Sequence, residues 1–240
     1  MTKIGVFSDV HGNLPALEAV LAVLKEQGCE EYLCAGDLVG IGPCPEETAA
    51  LLRQLPGLTC VRGNHEGYVL SPLMAPYPDG MDEEEAEQHR WERERLSPES
   101  LDFLRGLPRA VSLMRAGVRI SVAHYALLEP DGFCPMEAPT PQRLDILFAD
   151  ARGEVVLYGH RHEEHCDKSE KRYYINPGSL GCPPPEGSFA RCGILSLENG
   201  GCAYEQLRVP YDVGETVALA RSREYPGWEK IARWFYRVEG

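Results

Sequence analysis

Five short polar clusters in this 240-residue chain concentrate histidine, aspartate and asparagine, side chains that bind transition metals well. Each cluster directly follows an apolar, strand-like run of residues. In α/β proteins, ligands and chemistry gather beyond the carboxyl ends of strands, so five such ends can contribute to one pocket. We therefore expect a shared metal site of the kind that two-metal hydrolases use. The clusters are Asp9-Val10-His11, Gly36-Asp37, Gly63-Asn64-His65, His124 and Gly159-His160-Arg161-His162.

The ligand types in these clusters narrow the choice of metal. Asp9 and His11 lie two residues apart beyond a strand, so both side chains can face the same side. The two oxygens of Asp37 can bridge two ions. This mixture suits two divalent or mixed-valence transition-metal ions, either Mn, Fe, Zn, Ni or Co, and does not distinguish among them. The predicted metal ligands are Asp9, His11, Asp37, Asn64, His124, His160 and His162.

A metal site of this kind is expected to catalyse the hydrolysis of a P–O bond. Two ions about 3.5–4 Å apart can hold a bridging hydroxide near neutral pH and neutralise phosphoryl oxygens, so that the hydroxide attacks phosphorus in line. His65 follows Asn64 and is predicted to be catalytic, because it can donate a proton to the leaving oxygen. Asn13 and Arg62 are predicted to contact the phosphate or to support the metal ligands.

Each cluster taken alone has an ordinary structural explanation. An aspartate after a strand often caps a turn or helix, and Gly63-Asn64-His65 is compatible with a type I′ turn. Five clusters at matching strand ends favour a common site. Two other histidines are predicted to lie outside it: His89, in an acidic segment, on the surface, and His165 on a surface loop, with the pocket as its alternative.

Composition excludes several classes of partner. The formal net charge is −13, from 37 acidic and 24 basic residues, which argues against a nucleic-acid groove and against an anionic membrane surface. A small phosphorylated substrate stays compatible, because bound cations reverse the local field. The sequence has no apolar run of membrane-span length and no secretory leader, so we expect a cytoplasmic protein with reduced cysteines.

The periodicity predicts three successive parts. The first third has β-α-β-α-β organisation, with helices at residues 14–27 and 45–54. The middle third, rich in Glu and Arg, predicts a solvated helix over 81–96 and a second helix that starts at Ser97-Pro98-Glu99. The alternative is that the acidic helix is a cap that shapes substrate access. The last third predicts strands, a hairpin at Asn199-Gly200-Gly201, and a helical tail over 213–238 broken at Pro226-Gly227. The predicted strands of this third are 110–114, 119–123, 155–158, 171–175, 189–197 and 201–208, with a helix at 141–151.

At the clustered residues the chain resembles the calcineurin-like metallophosphoesterases, most closely their small bacterial branch. The resemblance implies an α/β fold: a four-layer α/β/β/α sandwich of two mixed sheets, as a single domain over 1–240 with a helical cap inserted at about 66–108. It implies that one metal takes Asp9, His11, Asp37 and His162, that the other takes Asp37, Asn64, His124 and His160, and that His65 is the catalytic histidine. The matching segments are Ser8-Asp9-Val10-His11-Gly12-Asn13, Gly36-Asp37-Leu38-Val39-Gly40, Arg62-Gly63-Asn64-His65-Glu66, Ala123-His124, Gly159-His160-Arg161-His162 and Asn176-Pro177-Gly178-Ser179.

Two departures from the family pattern concern the substrate. Tyr125 follows His124 where many relatives have glycine, and Gly181-Cys182-Pro183-Pro184-Pro185 stands where many have a Gln-Pro-Arg stretch. Without that arginine, any phosphate contact it makes in relatives must come from elsewhere. The metal ligands are unaffected.

The leading hypothesis is a dinuclear-metal-dependent phosphohydrolase acting on a small phosphorylated substrate. Nucleotides, dinucleoside polyphosphates, phosphomonoesters and phosphodiesters all stay open. The alternatives are a phosphoprotein phosphatase, a nuclease of the same superfamily, and a non-catalytic scaffold or binding protein with this fold. The acidic charge disfavours the nuclease, and the intact His65 with a full ligand set disfavours the scaffold. A monomer and a homodimer are both compatible with the aromatic C-terminal helix.

Overall fold

The computed structural model describes residues 1–71, 73–129 and 132–238. Within these residues, no helix is long and apolar enough to cross a membrane. The strands are β1 (Thr2–Phe7), β2 (Glu31–Cys34), β3 (Leu58–Cys60), β4 (Ala110–Arg115), β5 (Val118–Ala123), β6 (Leu127–Leu128), β7 (Gly132–Phe133), β8 (Val155–Leu157), β9 (His165–Lys168), β10 (Tyr173–Asn176), β11 (Phe189–Glu198) and β12 (Gly201–Pro210). The α-helices are α1 (Leu14–Glu26), α2 (Pro45–Gln54), α3 (Asn64–Leu70), α4 (Glu83–Arg95), α5 (Pro98–Gly106), α6 (Pro141–Leu147), α7 (Val213–Ser222) and α8 (Trp228–Trp234).

Two five-stranded mixed sheets align the strand ends that carry the polar clusters. The first has the order β12-β11-β1-β2-β3, with β1, β2 and β3 parallel. Phe7 pairs with Cys34 and Cys34 with Cys60, so these three strands end side by side. The second sheet has the order β4-β5-β8-β10-β9, with β5, β8 and β10 parallel. In each sheet, the loops that follow the parallel strands therefore start at the same end of the strands.

The layers confirm the predicted α/β/β/α sandwich. Between the sheets, buried aliphatic side chains such as Val6 and Leu33 of the first sheet share a core with Val122 and Leu157 of the second. On the outer face of the first sheet, the apolar sides of α1 and α2 supply a second core. On the outer face of the second sheet, α6 packs Leu144 among aromatic residues. Both sheets are thus covered on both faces, as buried parallel strands require.

Local sequence explains several element boundaries. Asn13 caps α1 by accepting a hydrogen bond from the backbone N–H of Ala16, and Ser97 caps α5 through Ser100 in the same way. Asn199 and Gly200 have φ values of 51° and 79°, the two positive angles that a type I′ hairpin requires. The predicted hairpin between β11 and β12 is therefore confirmed, and so is the break between α7 and α8.

The prediction of a solvated surface helix over 81–96 is wrong for one face of α4. Ala86, His89 and Glu92 are buried at a spacing of three residues, and Gln88 and Trp91 are buried beside them. The buried carboxylate of Glu92 accepts hydrogen bonds from the Gly40 N–H and the Tyr225 hydroxyl. Because polar groups satisfied in this way take the place of an apolar stripe, the sequence of α4 does not show which face is buried.

Two histidine predictions have different outcomes. His89 was predicted on the surface, but its side chain is only 1% exposed, because α4 turns this face toward His65 of α3 and the loop after β2. His165 lies partly exposed, but it belongs to the edge strand β9 and not to the predicted loop. Its Nδ1 is 3.0 Å from the Tyr158 hydroxyl. Strand β9 was not predicted, since His165-Cys166-Asp167-Lys168 lacks the apolar alternation of a half-buried strand.

Candidate metal centre

The loops after β1 and β8 bring one group of ligand atoms together. The Nε2 atoms of His11 and His162 are 2.9 Å apart, and Asp9 Oδ1 lies 3.7 Å from His162 Nε2. His11 Nδ1 lies 3.2 Å from the Val39 carbonyl oxygen, to which it donates its proton, so its Nε2 keeps a lone pair. Carbonyl contacts of this kind fix the tautomer of metal-binding histidines. Asp9, His11 and His162 therefore face one point.

A second group is centred on His124, after β5. Its Nε2 lies 3.1 Å from Asp37 Oδ2, 3.0 Å from Asn64 Oδ1 and 3.1 Å from His160 Nδ1. His124 Nδ1 donates to the Ala35 carbonyl oxygen at 2.8 Å, which again leaves the Nε2 lone pair for a ligand. The four atoms at this point are one carboxylate oxygen, one amide oxygen and two ring nitrogens, and all four are acceptors when His160 carries its proton on Nε2.

The donor set fits transition-metal ions. The structure brings together all seven residues that were predicted as ligands. Asp37 belongs to both groups: its carboxylate lies within 4.8 Å of ligand atoms of His11 and His65 on one side and of His124 and His160 on the other. Buried acceptors that face one another are unfavourable unless a cation satisfies them. Mixed imidazole and carboxylate ligands are those of Mn, Fe, Zn, Ni and Co rather than Ca.

Five of the seven predicted ligand positions have backbone angles that favour glycine. The φ values are 54° for Asp9, 49° for His11, 54° for Asp37, 72° for His160 and 60° for His162. Left-handed conformations at non-glycine residues cost about 1–3 kcal/mol each and persist only where surrounding contacts hold them. The turns direct these side chains into the space beyond the strand ends, so the strain coincides with the ligand positions.

The Asn176-Pro177-Gly178-Ser179 turn supplies contacts that hold two of the strained loops. Ser179 Oγ donates to the Asp9 carbonyl oxygen at 2.8 Å, and the Ser179 N–H donates to the His162 carbonyl oxygen at 3.0 Å. Asn176 Nδ2 donates to the Gly159 carbonyl oxygen at 3.1 Å. The turn thus fastens the loop after β1 to the loop after β8, which explains its place in the motif set.

Glu66 holds the loop that carries Asp37, a role that sequence reasoning did not assign. Its fully buried carboxylate accepts backbone N–H groups of Asp37 at 3.1 Å, Leu38 at 2.6 Å, Val39 at 3.3 Å and Gly63 at 2.7 Å. Burial raises the pKa of Glu66 to about 7, and the nearby Asp37 carboxylate adds to the rise. The sequence signal was its position at the third residue of α3, from which a glutamate side chain can accept the backbone N–H of the N-cap residue, here Gly63.

His65 lies in the first turn of α3, against the metal-ligand groups. Its backbone N–H donates to Asp37 Oδ1 at 3.0 Å, and its ring meets that of His11 edge-on at 4.9 Å between centroids. Gly40, at φ 86°, leaves room for this ring, since a Cβ there would overlap it. Burial lowers the pKa of His65 to about 3, so the ring is neutral at neutral pH and carries one N–H.

Cys182 is an additional neighbour of the first group. Its sulfur lies within 4.8 Å of the ligand atoms of His11 and His162. Burial raises the pKa of the thiol, so it stays protonated and is a poor metal ligand in that state. This placement of Cys182 was not predicted from the sequence.

The two supporting residues predicted from the sequence lie at different depths. Asn13 is buried, where its Nδ2 donates to the Gly181 carbonyl oxygen at 2.7 Å and its Oδ1 accepts from Thr216. These bonds position the loop after β1. Arg62 is partly buried and lines a cavity beside Asn64 and His160. Contact of either side chain with phosphate stays a prediction.

The sequence pattern of the calcineurin-like phosphoesterase superfamily domain matches residues 2–200. The chain belongs to the calcineurin-like phosphoesterase superfamily. It is therefore a metal-dependent phosphoesterase, a hydrolase of phosphoric ester bonds. The resemblance drawn from the five clusters is confirmed.

Three known proteins illustrate the similarity. An uncharacterized protein of Methanocaldococcus jannaschii is 29% identical over 242 residues, which covers 95% of each chain. Phosphodiesterase YfcE of Escherichia coli is 23% identical over 209 residues, 81% of this chain and 88% of that protein. The crystal structure of a metallophosphoesterase from Sphaerobacter thermophilus has a TM-score of 0.75 at 24% identity, covering 96% of this chain and 97% of that one. The last comparison supports the fold.

Proposed function

We propose that this phosphoesterase works with two metal ions that share Asp37, and that its substrate is a small phosphodiester. Asp9, His11, Asp37 and His162 would hold one ion, and Asp37, Asn64, His124 and His160 the other. The observation that carries the proposal is the place of Asp37, whose carboxylate belongs to both groups of ligand atoms.

Two such ions, when bound, supply the Lewis acidity that activates a water and neutralises phosphoryl oxygens. The chain's own residues then orient the reaction. His65 presents a neutral ring beside both groups, and its N–H donates a hydrogen bond to the oxygen that leaves phosphorus. The Glu66 carboxylate and the Ser179 hydroxyl keep the loops of Asp37 and Asp9 in place while charge moves between substrate oxygens.

Two cavities favour a diester over a monoester. One cavity, of about 470 Å³, adjoins His65 and His162, and the other, of about 870 Å³, adjoins Asn64 and His160. A phosphorus atom between the two ligand groups would have room for an ester group on each side, which a monoester does not need. The Escherichia coli relative is itself named a phosphodiesterase.

The test compares hydrolysis of bis-p-nitrophenyl phosphate and p-nitrophenyl phosphate by protein loaded with Mn²⁺. We expect the diester to have the higher kcat/KM, by on the order of tenfold or more, and EDTA to remove the activity of both. A higher kcat/KM for the monoester contradicts the diester assignment. Failure of the loaded protein to hydrolyse either compound contradicts the proposed chemistry as a whole.

A further inference from the structure

The smaller of the two cavities lies between α4 and α8. The metal ligands alone do not explain what it binds. It opens directly beside His65 and His162, so a group within it is continuous with the position of the reacting phosphorus. A volume of about 470 Å³ lies within the range of small-molecule sites and accepts a ring with its linker. The cavity is therefore the natural site for one ester group of the substrate.

The outer wall of this cavity is aromatic. Trp234 and Phe235, at the end of α8, both line it, and Trp234 is 68% exposed. Ile41 and Ile231 add buried aliphatic surface behind them. An exposed indole beside an active centre offers a flat face on which a planar ring can stack. An aliphatic or hydroxylated group would gain less from the same face.

The charge of the facing wall restricts the occupant further. Asp82, Glu84 and Glu85 line the cavity from the α4 side, and Lys230 is the lysine that faces them from α8. Lys230 Nζ lies 3.3 Å from Asp82 and 3.0 Å from Glu84, so its charge is already paired. Asp82 and Glu84 together carry two negative charges against the single positive charge of Lys230, so this wall disfavours additional phosphate groups. The charge of this wall therefore argues against an occupant that carries further negative charge.

We propose that this cavity binds an uncharged planar aromatic ester group of the substrate, either an aryl ring or a nucleobase, by stacking on Trp234. The proposal rests on the phosphoesterase activity proposed above, because the phosphoryl group must sit at the metal ligands for the ring to reach α8. It makes Trp234 a specificity residue, with Phe235 beside it.

The test measures binding rather than turnover. Phenylphosphonate and methylphosphonate have a C–P bond that a phosphoesterase does not hydrolyse, so isothermal titration calorimetry on Mn²⁺-loaded protein gives their Kd values directly. The phosphonate analogues of AMP and ribose 5-phosphate form a second pair that separates a nucleobase from a simple aryl ring. We expect the aromatic member of at least one pair to bind more tightly.

Three variants assign the preference to the cavity. Trp234→Ala should weaken binding of the preferred aromatic ligand by about five- to tenfold, the lower part of the range for loss of one stacking face. Trp234→Phe should retain most of the preference, which controls for misfolding. Ile146→Ala, on α6, removes a side chain of similar exposure at 65% outside the cavity and should change nothing.

The outcomes separate this inference from the proposed function. If both members of each pair bind equally to the parent protein, or if Trp234→Ala keeps the full preference, the cavity does not bind a ring, although the phosphoryl site stands. If no phosphonate binds the metal-loaded protein, the proposed phosphoryl site is wrong and this inference goes with it.

Discussion

His89 of α4 lies against His65, with 5.1 Å between the ring centroids. Tyr68 completes the contact, at 5.5 Å from His65 and 5.3 Å from His89. Behind His89, Glu92 Oε2 lies 3.4 Å from its Nδ1, and Glu92 is itself anchored by the Gly40 N–H and the Tyr225 hydroxyl. Helix α4 thus packs His89 against the ring of His65.

Replacing His89 should therefore disturb His65 without removing metal. His89→Ala leaves a void the size of an imidazole beside the His65 ring, so we expect kcat to fall on the order of tenfold, because misplacement of a reacting group by about 1 Å is costly. The measurements are kcat for bis-p-nitrophenyl phosphate and bound metal per chain. Glu87→Ala, on the exposed face of the same helix, is the matched control. A parent-like kcat for His89→Ala shows that the contact has no effect on the reaction.

Removing the His65 side chain should abolish most of the turnover and keep the metal. The His65 ring is expected to donate a hydrogen bond to the leaving oxygen of the substrate. His65→Ala should therefore lower kcat by about 10²–10⁴-fold, the usual range for a positioned proton donor or hydrogen-bond donor. Metal content by mass spectrometry should match the parent protein. His165→Ala, a partly exposed histidine on β9, provides the control and should leave both quantities unchanged. Loss of metal from His65→Ala would instead identify His65 as a ligand.

Glu66 should contribute to stability more than to chemistry. In the parent protein the Glu66 carboxylate accepts hydrogen bonds from backbone N–H groups. In Glu66→Gln the amide NH₂ replaces one of these oxygens and cannot accept them, so we expect a loss of about 1–3 kcal/mol in the free energy of unfolding. Urea unfolding of the metal-free proteins at pH 8 measures this without a contribution from metal binding. Glu87→Gln is the exposed control. An unchanged midpoint with an unchanged slope argues that these hydrogen bonds are replaced by others at no cost.

The sequence was sufficient to predict which polar side chains come together beyond the strand ends. Asp9, His11, Asp37, Asn64, His124, His160 and His162 follow apolar runs, and the parallel register of β1, β2 and β3 brings three of these loops together. Periodicity also predicted α1, α2 and the β11–β12 hairpin, because their apolar spacing and turn residues leave few alternatives.

The sequence was insufficient where burial depends on polar contacts. His89 and Glu92 lie in a segment rich in Glu and Arg, and only the tertiary partners Gly40, His65 and Tyr225 show that this face is covered. Strand β9 was also not predicted from the sequence. It pairs with β10 at the edge of its sheet through backbone hydrogen bonds, and these do not require apolar side chains. Cys182 was missed because its proximity to His11 arises from the Gly181 backbone bonding to Asp9, far away in sequence.

Metal stoichiometry tests the central claim, that one carboxylate joins two metal sites, most directly. After loading with Mn²⁺ and removal of free metal, we predict two ions per chain for the parent protein, measured by inductively coupled plasma mass spectrometry. His160→Ala and His162→Ala should each retain no more than one tightly bound ion, because each removes a ligand from one group, whereas Asp37→Ala should lose both. Two ions retained by Asp37→Ala, or a single ion in the parent protein, would contradict the account.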